Sequence, residues 1–113
     1  MPYIATTSNV SISGRKKEAI KERMGKAIEL IPDKSEDWLM LSFRDNVSMY
    51  FRGDDEPCAI CQVKLFGAAE EEDYANLTEA LTDILSEELE LDPARVYITY
   101  EEIGVWGWNG GNL

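Results

Sequence analysis

PCAICQVKLFG, residues 57–67, is the stretch on which the fold turns. Its Cys58-Ala59-Ile60-Cys61 has the spacing of a redox pair, yet it lies within a run of mostly apolar residues that reads as a strand. A redox CxxC sits at a helix N-terminus, where the helix dipole lowers a thiol pKa. In a strand, residues i and i+3 point to opposite faces, and a disulfide between them would require the strand to break. Two small buried apolar residues are therefore the stronger reading of Cys58 and Cys61, and redox activity is the weaker one. A zinc set would need two further cysteines, or histidine, which the chain lacks entirely.

Working outward from this strand, one order of elements is found twice. Downstream, Glu70 to Glu90 places Tyr74, Leu77, Leu81, Ile84, Leu85 and Leu89 on one helical face. Four acids in its first turn suit the positive end of the helix dipole. A turn at Asp92-Pro93 follows, then a strand from Arg95 to about Ile103. Upstream, PYIATT (2–7) reads as a strand. KKEAIKERMGKAIELI (16–31) then places Ile20, Met24, Ala27, Ile28 and Ile31 on one helical face, and Pro32 closes it. DWLMLSFRD (37–45) reads as a strand buried on both faces, and NVSMYFRG (46–53) as a short strand closing a hairpin. Two β-α-β units predict an α+β, two-layer fold: a four-stranded mixed sheet with both helices on one face. The ferredoxin-like arrangement uses the same elements, so their order alone leaves the topology open.

The 113 residues suit one domain, residues 1–113, with 44% hydrophobic and 29% charged residues. Net charge is −11, from 22 acidic against 11 basic residues, which disfavours nucleic acid and anionic membrane surfaces as partners. No run approaches a membrane span and no secretory signal is read at the N-terminus, so a cytoplasmic protein is expected. Without histidine, Ser-His-Asp and Cys-His catalysis are impossible. The acidic runs Asp54 to Glu56 and Glu70 to Asp73 lack the spacing of a calcium loop, and no metal or cofactor is expected. Helices on one side leave the other face of the sheet bare. Trp38, Phe43, Cys58, Ile60, Val63 and Leu65, with the Trp-rich tail VWGWNGGNL (105–113), predict an apolar face covered by oligomerisation or by a different partner.

The Met-Pro start, EPCAIC (56–61), DPARVYITY (92–100) and GWNGG (107–111) together resemble the macrophage migration inhibitory factor family of the tautomerase superfamily, which includes D-dopachrome tautomerase. The resemblance runs the length of the chain. It implies a homotrimer with three sites at subunit interfaces, no cofactor, and a proline base exposed by removal of methionine. Family members interconvert keto and enol forms of phenylpyruvate-like 2-oxo acids, and some act on dopachrome derivatives. Animal members also act as cytokines through cell-surface receptors. A receptor-binding protein with residual or no activity is thus the alternative, as is secretion without a signal peptide.

By this resemblance, Pro2 is the catalytic base and Lys34 the substrate-binding lysine. Phe66 takes a position whose backbone meets substrate, where the family has a smaller aliphatic residue. Tyr97 matches the pocket tyrosine donated by a neighbouring subunit. Thr99 replaces the namesake's asparagine, Trp108 matches the tail tryptophan, and Trp106 replaces a smaller residue. The larger Phe66 and Trp106 imply a narrower or more aromatic pocket. Chemically, enolisation needs a base free at neutral pH and positive charge where the enolate forms. An apolar pocket and a neighbouring ammonium would both lower the pKa of a terminal amine. Retained, Met1 turns the Pro2 nitrogen into an amide with neither basicity nor an N–H.

Overall fold

The computed structural model describes residues 1–113. Strand β1 (Pro2–Ser8) alternates buried and half-buried positions along its length, the period-two signature of a sheet packed on one side. Helix α1 (Gly14–Ala27) starts where the Ser13 hydroxyl accepts the Lys16 N–H, and tightens into a 3₁₀ turn over Ile28–Leu30. β2 (Met40–Arg44) returns parallel to β1, and β3 (Ala59–Phe66) runs antiparallel on its other side. Helix α2 (Glu71–Glu88) begins with a reciprocal cap between Glu70 and Asp73, and β4 (Val96–Ile103) then pairs parallel with β3.

The strand order β2-β1-β3-β4 settles the topology. In each unit the two strands joined by a helix are immediate neighbours, whereas a ferredoxin-like sheet splits them. The two units meet at the antiparallel β1–β3 pair. Ile4, Val63, Leu65, Ile20, Met24, Leu77, Leu81 and Leu85, each almost wholly buried, fill the single layer between sheet and helices.

Three expectations are corrected. Residues 46–50 form no strand: the Asn46 and Val47 N–H groups donate to Val10 and Ser8, which ties the segment to the end of β1. Only Phe51 and Asp54 bridge, around Arg52 and Gly53, both at positive φ. β2 is shorter than expected and is not buried on both faces, because Glu36–Trp38 coils into a 3₁₀ turn and Met40 and Arg44 are exposed. The open sheet face is also less apolar than expected, although Ile60 stays on it with Gln62 and Lys64. Val63 and Leu65 join the core, Phe43 packs against it, and Cys58 is buried where the chain enters β3. Tyr3, Thr7, Ser42, Arg44, Gln62 and Lys64 line a mostly polar hollow on that face instead. Both thiols are free and buried, as the strand reading requires.

Candidate active site

Proline opens β1, a strand position where its missing N–H costs no ladder bond. Its ring is wholly buried opposite Leu65. One residue earlier, the Met1 carbonyl accepts the Phe66 N–H at 3.0 Å, which holds the terminus against the end of β3. Lys34 is brought to the same corner by a turn in which its own N–H donates to the Ile31 carbonyl at 3.2 Å. Pro32 occupies the second position of that turn, and Asp33 takes the positive φ of 67° that a type II turn demands of its third. The Lys34 ammonium then donates to the Phe66 carbonyl at 3.0 Å. Burial, followed by the charge and contact of Lys34, lowers the Met1 amine from 8.0 to about 6. This corner therefore keeps an amine largely uncharged at neutral pH.

The terminus opens into a groove of about 620 Å³, larger than the 420 Å³ hollow between the helices. Met1, Pro2 and Tyr3 form one end, and Asp37 to Met40 with Trp106 to Trp108 form the rest of its lining. Gly25 in α1 faces the side chain of Glu36, in the turn that carries Asp37 and Trp38, and a Cβ there would push that carboxylate aside. The tail folds back as a hairpin, β5 (Gly107–Trp108) against β6 (Gly111–Asn112). Asn109 and Gly110, at φ 52° and 81°, supply the positive φ pair of its tight turn. The Trp108 ring meets Trp38 edge to face, centroids 5.1 Å apart.

Pro2, Trp106 and Trp108 thus share one groove, with Lys34 and the Phe66 backbone holding its terminal amine. The Phe66 ring is not part of the lining. Tyr97 and Thr99 lie elsewhere. Pro2 pairs with Leu65, Leu65 pairs with Glu102, and Tyr97 is five residues back along β4, roughly 16 Å away at strand rise. Tyr97 is 58% exposed and packs edge to face on Phe51 at 4.9 Å, so within one chain it cannot reach the amine. Asp37, Trp38 and Met40 were missed as groove residues. The signal was available, since three large or charged side chains follow a Pro32-Asp33 turn, but it was read as buried strand.

A two-layer protein of paired β-α-β units, with its terminal amine held beside a lysine in an aromatic groove, is the class these observations define. Residues 1–113 match the family described as macrophage migration inhibitory factor (MIF), and the chain belongs to that family. It is 36% identical to the mouse factor over 67 residues, 58% of this chain and 58% of that protein. It is 28% identical to mouse D-dopachrome decarboxylase over 111 residues, 94% of this chain and 90% of that one. Among solved structures, MIF2 of Leishmania major superposes with a TM-score of 0.94 at 26% identity, covering 100% of this chain and 97% of that one. The homologue from Prochlorococcus marinus gives 0.88 at 28% identity, with 97% of each chain covered.

Proposed function

We propose that the protein is a cofactor-free keto–enol tautomerase of phenylpyruvate-like 2-oxo acids, with Pro2 as its base once Met1 is removed. Membership of the family supports tautomerase or cytokine-like function. The observation that carries the finer reading is a chain terminus held beside Lys34 at the mouth of an aromatic groove, where burial and that ammonium lower the Met1 amine to about 6. Removing Met1 moves the free amine one residue inward, onto a buried ring beside the same lysine. The uncharged Pro2 amine takes a proton from C3 of the keto acid, and the C–H electron pair forms the C2–C3 double bond. The carbonyl π pair moves to the C2 oxygen, which then takes up a proton to give the enol. Lys34 holds the carboxylate and lowers the cost of negative charge on that oxygen. Trp106 and Trp108 pack the substrate ring. In a homotrimer, Tyr97 and Thr99 of a neighbouring subunit would supply orienting hydroxyls and Phe66 a backbone contact.

The test is conversion of phenylpyruvate and hydroxyphenylpyruvate by chain of verified mass. Expected are turnover by the form starting at Pro2, background rates for Pro2→Gly, and none for the form retaining Met1. Equal background rates in all three overturn the reading. Receptor binding is the second reading, motivated by Thr99 and the larger Phe66 and Trp106 where the family pattern has other residues, and by the family match. No helix is long and apolar enough to cross a membrane.

A further inference from the structure

We propose that Asn109 is a site of spontaneous deamidation, and that its isoaspartate product releases the tail from the groove. The chain has five asparagines, and only Asn109 precedes glycine. Asn9, Asn46, Asn76 and Asn112 precede Val10, Val47, Leu77 and Leu113, whose side chains shield the amide nitrogen that would have to attack. Asn109 and Gly110 form the exposed turn of the β5–β6 hairpin, both at positive φ. The Gly110 N–H donates to no backbone carbonyl, and nothing lies within 4 Å of the place a Cβ would take there. The nucleophile is thus unhindered and next in the chain to the amide it attacks. Asn9, by contrast, has its side chain committed to the Asp55 and Glu56 carbonyls at 3.0 Å and to the Cys58 N–H at 2.9 Å.

The step needs only water. The Gly110 nitrogen gives its proton to solvent base and bonds to the Asn109 Cγ. The Cγ–Nδ2 bond breaks, and Nδ2 takes a proton from solvent and leaves as ammonia. Water opens the resulting succinimide at either carbonyl, giving aspartate or isoaspartate. Aspartate keeps the turn, because Asp-Gly suits the same paired positive φ. Isoaspartate carries the main chain through Cβ and so lengthens a tight two-residue loop. The hairpin holds only the pairs Gly107↔Asn112 and Trp108↔Gly111, with a bond of 3.0 Å from the Leu113 N–H to the Trp106 carbonyl beyond them, so little ladder absorbs the insertion. Trp108 then leaves its edge-to-face contact with Trp38, and the groove loses a wall. None of this depends on the reaction assigned to the groove.

The test is incubation of the full chain at mildly alkaline pH, sampled by peptide mass spectrometry, with isoaspartate detected by enzymatic methylation. Asn109 should convert at least about tenfold faster than any other asparagine, because glycine alone leaves the nitrogen open. In the isoaspartate form, the NMR cross-peaks between the Trp38 and Trp108 rings should be lost. Asn109→Gly removes the reacting amide and keeps the turn, since glycine takes positive φ freely, and after the same incubation it should retain those cross-peaks. Freshly prepared Asn109→Asp should retain them as well, which assigns the loss to the isoaspartate form. Conversion of Asn109 no faster than that of Asn76 or Asn112 overturns the modification site. Cross-peaks that persist in the isoaspartate form overturn the release of the tail.

Discussion

Lys34 and Phe66 are joined by an ammonium-to-carbonyl hydrogen bond of 3.0 Å, and this contact fixes the cation at the N-terminal corner. The Phe66 N–H binds the Met1 carbonyl from the same residue, so one end of β3 orients both the cation and the amine it perturbs. The sheet thereby brings an ammonium and an amine from two distant stretches of sequence to one corner.

The first prediction concerns pH. The chain has no histidine, so the terminal amine is the group whose titration falls between 6 and 8. Its folded value, about 6, lies below its ordinary 8.0, so the unfolded chain binds more protons across that window. Stability of the Met1-bearing chain should therefore rise with pH from 6 to 8 and level off above. The amine is largely solvent-accessible, so the slope is shallow. N-terminal acetylation should flatten it, and Lys34→Met should raise the amine pKa and reduce it. Melting temperatures across this range, with NMR titration of the amine, provide the check.

Arg95 latches the loop before β3. Its guanidinium donates to the Pro57 carbonyl at 2.9 Å, the Glu56 carbonyl at 3.0 Å and the Asp54 carboxylate at 2.8 Å, and lies 5.2 Å over the Phe51 ring. Phe51 in turn packs on Tyr97. A planar fork satisfies these acceptors together, which a lysine point charge cannot do. Arg95→Ala should cost about 1–3 kcal/mol, and Arg95→Lys should recover less than half of it. Amide exchange should quicken across residues 51–57 in both variants. Unchanged exchange there would show that the loop holds without the latch.

Leu81 sits in the centre of the layer between α2 and the sheet, with no exposed surface. Leu81→Ala leaves a cavity enclosed by both helices, and should cost about 2–5 kcal/mol in urea unfolding. Ala80, one residue earlier and only half-buried, is a contrasting site: Ala80→Ser should cost less than about 1 kcal/mol.

The fold was legible wherever one face of an element is buried. The helical stripe from Tyr74 to Leu89 and the stretch after Pro57 each carry a periodicity set by the layer they pack on. The stretch from Asp37 to Gly53 was misread because apolar composition was equated with burial. Trp38 and Met40 are apolar and lie open in the groove, and Asn46 and Val47 satisfy their backbone through Ser8 and Val10, contacts that local patterning cannot reveal. The polar middle of the open face was in the alternation of β3 all along: Gln62 and Lys64 fall between Cys61, Val63 and Leu65, with Ile60 and Phe66 at either end of the same face. Of the site, Pro2, Lys34 and the tail tryptophans came from family resemblance, since a lysine after a helix end carries no local signal of its role.

Cys61 yields the last prediction, and it separates the two readings of the CxxC. The thiol is fully buried beneath the helices, and its one hydrogen-bond partner is the Thr6 hydroxyl, at 4.0 Å. Burial pushes its pKa up to about 12, opposite to the direction a reactive thiol requires. Cys58 is also buried, held at the entrance to β3 by the Asn9 side chain on its N–H and by Ser8 on its carbonyl. Those two bonds fix the backbone that would have to swing for the sulfurs to meet. Neither thiol should react with iodoacetamide in the folded protein within hours, while both should react once urea unfolds it. Cys61→Ala should cost about 1–2 kcal/mol through lost packing and leave tautomerase turnover within twofold. Rapid native-state labelling, or a disulfide found by mass spectrometry under mild oxidant, would favour the redox reading instead.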